Sequence, residues 1–322
     1  MTLAPAKTAE ESPPRPAPPR RPTLGQRLMR AVRGSSTPVL LLAGPFLFLG
    51  VMIIWPLIEQ VYLSLTNARL TNPSAGDFVG LRNYTAALTG EDLPQVLLNT
   101  LIYTVGTTVI ALILGVLAAV VVNVRFAGNA VVKAILAAPW AIPSVAAALI
   151  WLWMFSQSRG VLNRGLEALG QDGIAWLTTE PWAMIAVIMV TAWQAVPFVM
   201  LVTLAALKSV PQETAEASRI DGASRLGTFQ WVIWPHILPT VRLLAILQII
   251  EALRKWDIIA VLTEGGPVNS TNTLVIAIQR QAFEYHQLGM GATYAIIGIT
   301  IAILFTLVYL LLERREERRD KR

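Results

Sequence analysis

The chain has 322 residues, 54% hydrophobic and 14% charged, with a mean hydropathy of +0.56 and a net charge of +6. An ordinary soluble domain carries about 25% charged residues, so composition excludes one and reads as a membrane protein. The absence of cysteine excludes disulfides and thiolate metal sites.

Residues 1–37 include "ESPPRPAPPRRP" and little apolar content, which predicts a disordered Pro/Arg-rich cytoplasmic tail. Residues 38–312 form the predicted membrane domain, with six apolar stretches at about 39–62, 96–122, 131–155, 182–207, 241–262 and 290–312. Each approaches or exceeds the roughly 20 residues that cross a hydrocarbon core as a helix. Lipid forbids unsatisfied backbone, and runs this continuous lack the alternation of a membrane barrel, so the spans are expected to be helices. The first is too long for a signal peptide and lacks a small-residue cleavage site.

Lys and Arg set the expected orientation. With a cytoplasmic N-terminus, that side receives seven from the first tail, two after span two, four around 208–242 and six from the tail 313–322, or 19 of 26. Both termini are therefore expected in the cytoplasm. The positive charge reads as topology and attraction to anionic lipid, because no basic surface is interleaved with base-stacking aromatics; nucleic acid is not an expected partner.

Span three contains "APWAIPS", and Pro139 and Pro143 each remove a backbone donor, which predicts a bend with freed carbonyls. Span four carries Trp193, Gln194 and Pro197 in "WQAVPF". Such kinks suit a cavity wall or ordinary packing equally well. Trp151, Trp153, Trp176 and Trp182 are expected at the membrane interface.

The segment "PQETAEASRIDGASRLGTFQWVIWP" (Pro211 to Pro235) then interrupts the apolar pattern. Ser209 and Gln212 have capping-box spacing, and Pro211 suits a first helical turn. Good helix formers follow to about Ile220. Asp221-Gly222 predicts a break, with Gly222 in a left-handed cap and Asp221 capping a second short helix from Ala223. Small residues Ala215, Ala217 and Ser218 beside Glu213, Glu216 and Arg219 look like a knob for docking another protein; an amphipathic connector on the membrane is the alternative.

Span five places Gln248, Glu251, Arg254, Lys255 and Asp257 in or near the hydrocarbon, where an isolated charge costs about 2.5–3.5 kcal/mol on insertion scales. Helical spacing would pair Glu251 with Lys255 and Arg254 with Asp257. Either the helix lines an aqueous path, with Trp193, Gln194, Gln248, Glu251, Arg254 and Asp257 as candidate path residues, or its charges are self-paired and snorkel to the interface. The tail 313–322, "ERREERRDKR", is expected to prolong span six as a charged helix end.

No enzyme motif accompanies these features. The nearest approach to a phosphate loop, "GASRLGT" at Gly222 to Thr228, lacks its Lys and does not follow a strand. His236 and His286 are far apart and lack a Glu-x-x-His setting, and no Gly-x-Ser-x-Gly elbow occurs. The chain is read as a non-enzyme without metal. No repeat suggests the two related halves of many secondary transporters.

The polar segment resembles the EAA loop of binding-protein-dependent ABC transporter permeases. The signature stands here as Glu216-Ala217-Ser218, then Gly222, then Val232-Ile233-Trp234-Pro235, with its spacing kept and with Ser218, Val232 and Trp234 as departures. The segments "FVGLRNYTAAL", "NTLIYTV", "PWAIPSVAAALIW" and "LTEGGPVNSTNTL" extend the similarity over about 40–312, nearest to the maltose and glycerol-3-phosphate permease subgroup.

The resemblance implies an all-α, six-span type I ABC importer permease in a bacterial inner membrane, with 209–235 as its coupling loop. It implies that Glu213, Glu216, Ala217, Ser218, Arg219, Asp221, Gly222 and Ala223 seat in a separate ATPase subunit. Two ATPase copies, holding ATP and Mg, a second and different permease subunit, and an extracytoplasmic solute-binding protein would complete the importer, and this chain would bind no cofactor. Loops 66–95, 157–180 and 264–289 would face the binding protein. The implied solute is a sugar, oligosaccharide or polyol, with a glycerol-3-phosphate or phosphodiester ligand as the alternative. A secondary transporter or a membrane anchor subunit are the other classes considered.

Overall fold

The computed structural model describes residues 37–73, 76–124 and 126–320, with backbone alone for 37–41, 212, 215, 219 and 305–320. The tail predicted over 1–37 therefore lies, but for Thr37, outside the described residues. The chain divides into two units, Met1–Ile58 and Glu59–Arg322. Helix α1 (Thr37–Ser64) begins in the first and ends in the second.

The second unit contains α2 (Arg82–Thr89), α3 (Asp92–Asn123), α4 (Asn129–Ala141), α5 (Ser144–Met154), α6 (Val161–Ala168) and α7 (Trp182–Lys208). After these come α8 (Gln212–Ile220), α9 (Arg225–Thr228), α10 (Trp234–Arg254), α11 (Asp257–Leu262), α12 (Leu274–Gln279) and α13 (Leu288–Asp320). Among the described residues the only β pairing is two isolated bridges, Thr66 with Phe78 and Arg69 with Asn72. The fold is all-α. Among the described residues, four helices are long and apolar enough to cross a membrane, and α4 with α5 forms a further, sharply bent candidate. The described side chains of α13 give a shorter apolar helix, Leu288–Leu304.

The central pair is α3 against α7. Lipid tails are as apolar as Leu, so membrane helices associate through close packing, for which small residues are suited. Ala111, Ala119, Ala186 and Ala192 are buried here. At Gly115 an added Cβ would come within 2.5 Å of the Val199 side chain, so the close approach requires glycine. Tyr103 and Thr191 share a buried 2.9 Å hydrogen bond across the same pair.

Helix α7 runs past Pro197 without interruption. The chain instead breaks at two other places. Between α4 and α5 the axis turns by 103°. Span five, read from sequence as one helix to about 262, ends as α10 at Arg254 and restarts as α11 at Asp257.

Aromatic packing also departs from the sequence reading. Trp151 is buried within the protein, 5.5 Å from Trp193 and 5.4 Å from Phe155. Phe155 continues to Trp176 at 5.5 Å and Trp176 to Trp182 at 5.3 Å. This ladder ties α5, α7 and the 169–181 connection together. Asn163 pins the same connection: its amide accepts from Ile174 N and Trp176 Nε1 and donates to the carbonyls of Gln157 and Ile174.

A second organised loop joins α11 to α12. Glu264, Val268 and Asn269 have φ of 52°, 44° and 62°, a region costly for side-chain-bearing residues. Arg280 holds the loop by donating to Glu264 O at 2.6 Å and Asn269 Oδ1 at 2.7 Å. Asn99 on α3 donates to Asn269 O at 2.7 Å and Asn272 O at 3.2 Å.

Candidate functional site

The site begins at the α4–α5 break. Pro143 has no N–H, and a proline pushes the residue before it out of helical conformation. Ile142 is accordingly extended, with φ −86° and ψ 125°, and α5 starts at Ser144. The Ile142 carbonyl, freed from any helix, accepts from Gln194 Nε2 of α7 at 3.0 Å.

The α10–α11 break supplies the other half. Lys255 is extended at φ −73° and ψ 108°, and the Asp257 carboxylate accepts from Ile258 N at 3.0 Å, where α11 begins. Lys255 Nζ donates to Ser144 Oγ at 2.9 Å and Gln194 Oε1 at 3.1 Å, and lies 3.7 Å from Asp257 Oδ1. Ser144 Oγ also donates to Gln194 Oε1 at 3.1 Å. Of the three N–H groups of the ammonium, two are hydrogen-bonded here, and the Asp257 carboxylate is an ion-pair partner.

This cluster forms one wall of a cavity of about 530 Å³. Trp140 and Phe198, with ring centroids 6.2 Å apart, supply aromatic surface, and Thr107, Thr191, Gln248 and Glu251 supply polar groups. Thr107 Oγ1 is buried without a protein partner. The arrangement offers hydrogen bonds to hydroxyls and rings for C–H faces. Among the described residues no group of three or more His, Cys, Asp or Glu could hold a metal ion.

Of the path residues read from sequence, Gln194, Gln248 and Glu251 line this cavity. Trp193 belongs to the aromatic ladder instead, and Arg254 is exposed outside the cavity lining. Asp257 reaches the site only through Lys255. The expected pairs Glu251–Lys255 and Arg254–Asp257 are replaced by Lys255–Asp257, because the helix on which that spacing is counted stops at Arg254. Sequence reasoning misses Trp140, Ser144 and Phe198. The Pro-flanked "PWAIPS" is the available signal for the first two, since the break it causes turns both toward the cavity.

The segment between α7 and α10 is a second, separate feature. Helix α8 carries Glu213, Glu216 and Ala217 exposed on its surface; for Arg219 the backbone alone is described. Ile220 is 86% exposed. Gly222 adopts φ +86°, and the chain closes the helix with Asp221 N to Ala217 O at 2.9 Å and Ala223 N to Ser218 O at 3.0 Å. Ser218 Oγ and Thr228 Oγ1 share a 3.0 Å bond, which ties the two short helices together.

Two local expectations change here. The cap of the second helix is Ser224, accepting from Gly227 N at 3.1 Å, so this helix starts at Arg225 and Asp221 is not its cap. Ser209 ends α7, bonding Ala206 O at 2.8 Å and His236 Nε2 at 3.2 Å, while the side chain of its expected capping-box partner Gln212 lies outside the described residues. Ahead of Pro235 the backbone widens into a π turn, Phe229–Ile233, closed by Trp234 N to Phe229 O. A widened turn relieves the crowding a proline imposes on the preceding carbonyls.

Residues 111–318 match the family model described as binding-protein-dependent transport system inner membrane component. The chain is 32% identical over 294 residues to the sulfoquinovosyl glycerol transport system permease protein of Agrobacterium fabrum, covering 91% of this chain and 93% of that one. It is 35% identical over 263 residues to the trehalose/maltose transport system permease protein of Thermococcus litoralis, covering 81% and 88%. The sn-glycerol-3-phosphate transport system permease protein of Agrobacterium fabrum is 29% identical over 272 residues, 84% of this chain and 92% of that one. In fold, the chain is similar to one chain of a bacterial alginate ABC transporter solved with its alginate pentasaccharide-bound periplasmic protein. The TM-score is 0.77 at 20% identity, covering 90% of this chain and 98% of that one.

Proposed function

The chain belongs to the family of binding-protein-dependent transport system inner membrane components, and from that premise we propose how it divides the work of an ABC importer with its partners. It is a permease subunit that moves a carbohydrate, in the broad sense of sugar, oligosaccharide or polyol, through the membrane. It hydrolyses no ATP itself; two copies of a separate ATPase, with ATP and Mg, drive it. A second permease subunit closes the pathway, and an extracytoplasmic binding protein delivers the solute. The organism is a bacterium and the membrane its inner one.

The observation that carries this reading is the loop at Gly222. An exposed helix ending in a left-handed glycine, in register with Glu216, Ala217 and Pro235, gives a protrusion with an apolar residue, Ile220, in solvent. A protrusion of that kind suits a cleft on another protein. Glu213, Glu216, Ala217, Ser218, Arg219, Asp221, Gly222 and Ala223 form the proposed ATPase interface, with Glu216 offering a charge-assisted contact to a basic residue. The Lys and Arg distribution supports a cytoplasmic position for this loop and for both termini, with six spans in all. The cavity beside Gln194, Gln248 and Glu251 is the proposed solute path.

The test is uptake by proteoliposomes that contain the chain with its ATPase, partner permease and binding protein. Uptake that requires ATP inside the vesicle is the expected result. Uptake by this chain alone, driven by an ion gradient, would identify a secondary transporter instead.

A further inference from the structure

Two ionisable side chains line the cavity, Lys255 and Glu251, and they are not in equivalent states. Lys255 Nζ donates to Ser144 and Gln194, and the Asp257 carboxylate 3.7 Å away balances its charge. Glu251 has no ion pair or hydrogen bond among the described residues, and it is exposed. The helix dipoles nearby do not alter this balance. The positive end of α5 at Ser144 and the negative end of α10 at Arg254 meet at the same cluster, each equivalent to about half a charge. What remains facing the cavity is one uncompensated carboxylate.

Resting on the importer reading, we infer that this cavity accepts uncharged polyhydroxylated solutes and excludes anionic ones, with Glu251 as the residue that discriminates. A phosphate, sulfonate or carboxylate entering the cavity meets a like charge with no free ammonium to offset it. Repulsion between unit charges a few ångströms apart near protein is large enough to weaken binding at least tenfold. A sugar hydroxyl meets acceptors in Glu251 and the Gln248 amide, while Trp140 and Phe198 cover its C–H faces. The relatives named for trehalose/maltose and for glycerol 3-phosphate differ in this property of their solutes, so family membership does not decide it.

The deciding experiment is saturation-transfer NMR on the permease–ATPase complex in lipid nanodiscs, without binding protein, with trehalose, glycerol 3-phosphate and choline as probes. Omitting the binding protein removes its own selectivity from the measurement. The expected result is transfer to trehalose, with glycerol 3-phosphate at least tenfold weaker. Glu251→Gln should narrow that ratio several-fold, and Glu251→Lys should reverse the preference. Equal binding of the two probes to the wild type, an unchanged ratio in Glu251→Gln, choline binding tighter than trehalose, or no transfer to any probe would each overturn the inference. ATP-driven uptake in proteoliposomes is scored separately, so an intact importer with the wrong selectivity is distinguished from a chain that is not an importer.

Discussion

Lys255 Nζ donates a 2.9 Å hydrogen bond to Ser144 Oγ across 111 residues of sequence. The two residues sit at the two places where the bundle abandons regular helix, so one ammonium joins the α4–α5 bend to the α10–α11 bend. Gln194, on the unbroken α7, is the third member and accepts from both. The Lys255 charge is thus a cross-brace, and its partners explain why an apolar bundle tolerates it.

Removing the brace should be costly and partly reversible. Lys255→Met leaves Asp257 unpaired and strips a donor from Ser144 and Gln194. Hydrogen bonds to charged groups contribute about 1.5–3 kcal/mol each, and breaking a buried pair costs about 3–5 kcal/mol. Side-chain exposures of 20% and 29% for Lys255 and Asp257 call for the lower end, about 2–3 kcal/mol in total. Thermal unfolding of the permease in nanodiscs should show a lower midpoint for Lys255→Met and partial recovery in Lys255→Met/Asp257→Asn. A double variant no more stable than the single one would mean that the unpaired carboxylate is not the source of the loss.

At Gly222 the expected effect is on coupling rather than assembly. A Cβ added there would have no atom within 4 Å, so a side chain meets open space, and the penalty comes from φ +86° alone, about 1–2 kcal/mol for most residues. Asn tolerates that conformation better than Val. Gly222→Val should reach the membrane at normal levels and lose at least nine-tenths of ATP-driven uptake, with Gly222→Asn intermediate. Full uptake by Gly222→Val, in a strain lacking the native permease, would contradict the coupling role.

The aromatic ladder gives a test of packing. Trp151 is buried among Trp193 and Phe155, whereas Trp153 is 61% exposed. Trp-to-Ala changes in water-soluble cores cost about 3–5 kcal/mol, part of it from the cavity left behind. In lipid the transfer part shrinks while the lost packing remains. Trp151→Ala should therefore lower the unfolding midpoint clearly more than Trp153→Ala, and Trp151→Phe should fall between them. Equal effects at the two positions would remove the ladder as a source of stability.

These sites also show what the sequence could disclose. The apolar stretches and the bend at "AIPS" were legible because lipid and proline impose their demands locally. The break after Arg254 was not, since "ALRKWD" contains neither Gly nor Pro and its extended residue is held by partners on two distant helices. Trp151 and Trp153 lie about 200° apart around a helix, so one of them had to face inward, and composition could not choose which. In "SRIDGAS" both Asp221 and Ser224 can cap a helix. The left-handed turn at Gly222 assigns Asp221 to the end of one helix and leaves Ser224 to start the next. The cavity needed the fold, because its aromatic wall, Trp140 and Phe198, comes from two helices.

The α11–α12 loop should be held by its anchors and not by its own preferences. Glu264, Val268 and Asn269 all sit at positive φ, a conformation that costs side-chain-bearing residues on the order of 1–2 kcal/mol each. Val268 is 93% exposed at the tip and contributes no packing to offset this. Arg280 donates from both terminal nitrogens into the loop, and Asn99 holds it from α3. Arg280→Ala removes two of those bonds at once and should let the strained residues relax. Hydrogen exchange followed by mass spectrometry should then show protection falling by tenfold or more across 264–273, with the amides of α8 unchanged as an internal control. Asn99→Ala should act in the same direction. Protection unchanged in both variants would mean that the loop's shape is set by the Thr263–Thr271 and Thr271–Gly266 hydrogen bonds within it, and that Arg280 is a spectator.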